Sequence, residues 1–219
     1  RSYRTPPTEA RRGGDVDSGA PNRAVRRQEP GGEALRDLKA LAINLLLYKI
    51  GWFGGVLAAA RNMPWAGGAL IAVLIGVHLW LVGDRQRELR IILTCGLLGA
   101  VIDSAQMQAG VLTFEGGFLF PWLCPPWIIL MWMQMGTTLR YCLRFLQGRP
   151  LVAALMGGVA GPLSFHAGER MGAVTLHPNP QLAIASLAIS WTVAMPLMMW
   201  LARPHSSAAI TFTGAAVPE

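Results

Sequence analysis

Charge is scarce in this chain. Asp, Glu, Lys and Arg make up 14% of its 219 residues, whereas 53% are hydrophobic. That balance leaves little room for a soluble domain, and the apolar segments lack the polar face of a water-exposed helix. Cysteine is scarce too. Cys95, Cys124 and Cys142 stand far apart without metal-ligand spacing, so the thiols read as small apolar fillers, with no metal site among them. No phosphate-binding loop, nucleophile elbow, zinc-protease helix or haem-attachment motif is present, and no cofactor is expected. An inverted repeat between the two halves, common among carriers, is also missing. The chain does not open on a secretory signal pattern. Arg26 and Arg27 are followed by Gln28, Glu29 and Pro30, not by the apolar run of a twin-arginine signal.

Six apolar stretches dominate what is there: 41–60, 64–82, 89–111, 118–141, 151–168 and 181–201. At about 1.5 Å per helical residue, each is long enough to cross a hydrocarbon core about 30 Å thick. The predicted fold is all-α: a polytopic integral membrane bundle of about six transmembrane helices at 40–203. Residues 1–39 are expected to form a disordered basic tail with a short amphipathic lead-in, and residues 204–219 a flexible tail.

The net charge of +7 does not point to nucleic acid, because its placement follows the spans. Arg85, Arg87 and Arg90 lie in one connection, Arg140, Arg144 and Arg149 in another, and Arg203 after the last span. The alternate connections hold only Arg61 and Arg170. With six spans, every basic cluster falls on one side, which predicts cytoplasmic termini. Gly51/Gly55, Gly96/Ala100, Gly157/Gly161 and Gly168/Gly172 have the four-residue spacing that lets helices approach closely in lipid. Pro121, Pro125 and Pro126 predict a broken or extended entry to the fourth span, and Pro162 and Pro196 predict kinks in the last two.

Polar residues inside spans are costly and therefore mark candidate sites. Asn44, Tyr48 and Lys49 lie within a turn and a half of the first span, with Asn44 and Tyr48 on one face. Asp103 in the third span has Gln106 beside it. An ion pair between Lys49 and Asp103 is one expectation, with structural pairing favoured over a reactive site. At the far end of the fifth span, Ser164, His166, Glu169 and Arg170 form the most motif-like cluster, with His166 and Glu169 on one helix face. A satisfied polar cluster is favoured there over a metal site, since two ligands are too few. His78 reads as interfacial, and His177 as part of a turn.

Several of these features recur together in one order: Asn-x-x-x-Tyr-Lys-x-Gly-Trp in the first span, Asp103 in the third, Pro-x-Trp-x-x-x-Met-Trp in the fourth and Gly-Pro-Leu-Ser-Phe-x-x-Gly in the fifth. In this the chain resembles, over about 40–204, a family of small bacterial six-span inner-membrane proteins known only as a domain of unknown function. The resemblance implies a bacterial inner-membrane location and association with genes for lipid-modifying enzymes, and supplies no catalytic residues. The expected partners are membrane lipid, lipid-modifying enzymes or a second copy of the chain, and not nucleic acid. Three roles follow as expectations. The first is an accessory factor in lipid modification or lipid binding, with the polar span residues lining a shared cavity. The second is a small proton-coupled carrier with Asp103 titrating. The third is an enzyme with His166 as acid/base, disfavoured for want of a complete catalytic constellation.

Overall fold

The structure, a computed structural model, describes residues 30–203. Six α-helices make up the bundle: α1 (Pro30–Ala60), α2 (Pro64–Leu81), α3 (Arg85–Gln108), α4 (Pro126–Gly136), α5 (Pro150–Met171) and α6 (Pro180–Leu201). Five of them begin at proline (α1, α2, α4, α5 and α6), where the missing N–H has no intrahelical partner to lose. Side chains cap two of the starts. Asp84 accepts from the Arg87 amide at the head of α3, and Asn179 from the Gln181 amide at the head of α6. Gly172, with φ at +85°, ends α5 in the left-handed conformation. It is therefore a helix cap and not a packing glycine.

Among the described residues, four helices are long and apolar enough to cross a membrane: Asp37–Ala60 within α1, and α2, α5 and α6. The sequence predicts six. The expected fourth span is the largest departure, because α4 has only 11 residues. It rises about 16 Å, half the thickness of a bilayer core. Before it the chain runs irregularly from Glu115 to Pro125, and after it turns and a single 3₁₀ turn at Arg144–Leu146 lead to α5. The prolines at 121, 125 and 126 do give the irregular entry they predict. α3 is 24 residues long but carries Arg85, Arg87, Glu88 and Arg90 in its first turns and Asp103, Gln106 and Gln108 near its end. The expected lead-in before the first span is continuous with α1, which begins at Pro30. The tail before residue 30 and that after 203 lie outside the described residues.

α5 lies along α6, α1 along α2, and α3 along α4, with α4 also against α2. Glycines permit these approaches. A Cβ on Gly67 would fall 3.1 Å from the Gly55 backbone, and one on Gly157 would fall 2.3 Å from the Trp191 carbonyl oxygen. Both helices that contain an internal proline, α5 with Pro162 and α6 with Pro196, continue through it. At one end of the bundle, opposite the arginine-rich connections, two three-residue strands pair antiparallel: β1 (Leu112–Phe114) with β2 (Val174–Leu176), Thr113 opposite Thr175. This ties the chain after α3 to the chain after α5. At the basic end, the Arg87 guanidinium donates to the carbonyl of Arg203 and so joins α3 to the end of α6.

Candidate functional site

Beneath the strand pair, α1, α3, α4, α5 and α6 surround a cavity of about 90 Å³. Its wall is mostly aromatic, with Trp52, Phe114, Trp127, Trp132, Phe165 and Trp191 contributing. Its polar residues are Tyr48, Asp103 and Ser164.

Local sequence explains how the two central rings are held. On α3, Gly99 and Asp103 are one turn apart and so share a face. Gly99 leaves a notch that the Trp132 ring fills, since a Cβ there would lie 1.9 Å from Trp132 Cγ. One turn on, Asp103 Oδ2 accepts the Trp132 indole N–H at 2.7 Å. On α5, Gly161 provides the matching notch for Trp191, at 2.2 Å from its Cγ. The two indoles then stack, with centroids 4.6 Å apart and planes inclined by 19°, in the offset manner aromatic pairs prefer. Gln106 fixes α6 beside them. Its amide donates to Ser190 Oγ at 2.6 Å and accepts from Ser186 Oγ at 2.7 Å.

Asp103 is 1% exposed, and its second oxygen, Oδ1, has no partner among the described residues. The same is true of the indole nitrogens of Trp127 and Trp191. Buried polar atoms are nearly always satisfied, so three orphans on residues lining one cavity indicate that something else completes them. Any carboxylate held there in ionised form has to be compensated by a donor, because apolar surroundings penalise an isolated charge.

A second polar cluster lies toward the basic end. The Arg140 guanidinium donates to Glu88 Oε1 at 2.5 Å, and both residues are buried. His78 faces Glu88 Oε2 through Nε2 at 3.5 Å and the Asn44 amide through Nδ1 at 3.4 Å. Asn44 also donates to the Thr137 carbonyl at 3.0 Å and accepts from Cys142 Sγ at 2.6 Å. An amide donating to Nδ1 leaves Nε2 as the protonated nitrogen, so one neutral tautomer serves both long contacts. Tyr141 sets its ring edge-on to His78 with centroids 5.3 Å apart. Every charge here has its counterpart, which makes the cluster a fastener between α1, α2, α3 and the segment after α4.

The residues singled out by the sequence thus fall into separate places. Tyr48, Asp103 and Ser164 line the cavity. Asn44 belongs to the Glu88 cluster, and Gln106 to the α3–α6 contact. Lys49 is exposed on α1 and makes no ion pair with Asp103, because it points away from the bundle, where a long side chain can carry its charge to the membrane surface. His166 and Arg170 are exposed. His166 Nδ1 lies 3.3 Å from Glu169 Oε2, and Glu169 Oε1 accepts from the Leu176 amide at 3.2 Å, which pins β2 to the end of α5. The cavity therefore does not take in all of these groups. His78, in the last turn of α2, is buried against its neighbours and 1% exposed. Sequence reasoning gave no site role to Glu88, Arg140 or the tryptophans, although Trp127 and Trp132 stand in the fourth-span pattern. Glu88 and Arg140 sit near clusters of arginine that explain themselves by topology, and tryptophan is common in any membrane bundle. The one available signal was Gly99 at a one-turn spacing from Asp103.

Comparison with curated proteins and with solved structures finds no match to either. A family model does match, covering residues 41–197, and on that extent the chain belongs to the family described as a protein of unknown function (DUF2878).

Proposed function

We propose that this protein is an integral inner-membrane lipid-binding protein, acting as an accessory to lipid modification, and that the aromatic cavity is its binding site. The carrying observation is the unpartnered Oδ1 of buried Asp103 on the wall of a cavity otherwise built from indole and phenyl rings. Ligand sites combine an apolar wall with a few placed polar groups, and an ionisable residue within a membrane bundle is a functional candidate by default. The arginine-rich connections face the cytoplasm in this reading, and the cavity lies toward the opposite face.

The test is extraction and mass spectrometry of lipid retained by the protein purified in mild detergent. Wild type retains a defined species in near-stoichiometric amount, and Ala173→Leu, which adds bulk to the cavity wall, loses it while keeping the wild-type helical spectrum. Equal retention of the same mixed lipids by both proteins would refute the assignment.

A further inference from the structure

The cavity's unpaired atoms specify the buried end of its ligand, an inference that rests on the lipid-binding reading above. An indole N–H only donates, so Trp127 and Trp191 require an acceptor. Asp103 Oδ2 is occupied by Trp132, and Oδ1, when ionised, requires a donor. The smallest group that both donates and accepts is a hydroxyl. A trimethylammonium group would offset the charge of an ionised Asp103 but accepts nothing, so it would leave both indole N–H groups unpaired. A carboxylate or phosphate would accept from the indoles but set a second negative charge against Asp103 in surroundings of low dielectric. Size narrows the choice further. The cavity, at about 90 Å³, is smaller than the ~150 Å³ apolar cavity that admits benzene. It therefore takes a head of a few heavy atoms, with the attached chain running out along the helices.

We propose that the cavity binds an uncharged alcohol carried on an apolar chain, its hydroxyl donating to Asp103 Oδ1 and accepting from an indole N–H. A monoacylglycerol or an isoprenoid alcohol would each supply that chemistry.

The eight tryptophans divide conveniently for a test. Trp65, Trp80, Trp122 and Trp200 are each more than half exposed, while Trp52, Trp127, Trp132 and Trp191 line the cavity. Replacing the four exposed tryptophans by Phe in the full chain leaves emission that reports on the cavity. This protein, in lipid nanodiscs, is titrated with decanol, decane, decanoate and decyltrimethylammonium, and then with monodecanoylglycerol and farnesol. The expected result is a saturable emission change with decanol at a concentration about ten-fold below any produced by the other three head types. Asp103→Asn turns the lone acceptor into a donor, so the preference should move from the alcohol toward the matching methyl ketone. Asp103→Asn keeps the size and the Trp132 contact, and unchanged basal emission would show that the cavity is intact. Tighter monodecanoylglycerol than farnesol assigns the alcohol to a glycerolipid, and the reverse assigns it to an isoprenoid. Saturable binding of decane equal to that of decanol would overturn the hydroxyl inference and leave lipid binding standing. Saturation by decanoate or decyltrimethylammonium at lower concentration would also overturn it. No saturable change with any probe means a cavity that holds only water, and both readings fall.

Discussion

Trp132 and Trp191 stack face to face between α3 and α5, and each ring occupies a notch left by a glycine of the helix behind it. The pair is the wall of the cavity and a joint of the bundle at once. In lipid, apolar burial gives helices no reason to associate, so close packing of this kind and hydrogen bonds hold them together.

Alanine at either notch should therefore be costly. A methyl group at position 99 or 161 lands inside an indole ring that is already trapped against its partner. Gly99→Ala and Gly161→Ala should each destabilise by about 1–3 kcal/mol, the usual range for overpacking. Gly76→Ala, where no atom lies within 4 Å of the added group, should be neutral or stabilise by about 0.5–1 kcal/mol through helix propensity. Thermal unfolding in detergent ranks the three. Near-UV circular dichroism should lose the stacked-indole signal in the first two alone.

The Asp103–Trp132 hydrogen bond gives a sharper case. Trp132→Phe preserves a ring in the notch but leaves both carboxylate oxygens without a donor, which should cost about 1–3 kcal/mol. Asp103→Leu in that background removes the orphaned carboxyl and should restore part of the loss. A double-mutant cycle measured by unfolding in SDS is the check, with a coupling of about 0.5–3 kcal/mol expected for side chains in direct contact. Strict additivity would mean that the bond contributes nothing.

At the other end of the bundle, Glu88 and Arg140 are buried against each other. Removing one charge strands the other, so Glu88→Leu or Arg140→Met alone should destabilise by about 3–5 kcal/mol, and the two together by less than either single change. Loss of Asn44 should be milder. Asn44→Ala leaves the Thr137 carbonyl and the Cys142 thiol without their partner but strands no charge.

How far the sequence reached follows from these same residues. Apolar length located α1, α2, α5 and α6, because a span is a property of a contiguous segment. It did not show that the fourth stretch holds a helix of only 11 residues with turns on either side, because hydropathy does not register whether a segment faces lipid or protein. The strands β1 and β2, three residues each and 60 apart in the chain, are paired by tertiary structure and leave no periodic trace. Asp103 was visible as a polar residue in an apolar run. Its partner was not, since the depth of Trp132 in its span points to packing but not to which residue it meets. Glu88 and Arg140 looked like parts of interfacial charge clusters, and only the fold brings them to 2.5 Å.

Orientation in the membrane is open to direct measurement. The arginines of the α2–α3 connection and of the segment before α5 lie at the end of the bundle opposite β1 and β2. A positively charged connection is retained in the cytoplasm, so that end should be inside and the strand end outside. Cys95, Cys124 and Cys142 are free thiols and need replacing first, with serine at 142, where the Asn44 contact calls for a donor, and alanine at the buried 95 and 124. Single cysteines at Gln86 and Gly116 then report the two faces. In intact cells a membrane-impermeant maleimide should label Gly116→Cys and spare Gln86→Cys, and permeabilisation should expose the second. Because α4 is too short to span alone, its segment decides the parity of the topology. If 115–125 and 144–149 lie on opposite sides, a cysteine at Gln147 is protected like Gln86. The fold puts 144–149 at the end of α5 away from the strand pair, so labelling of Gln147→Cys together with Gly116→Cys in intact cells would refute this orientation of the bundle.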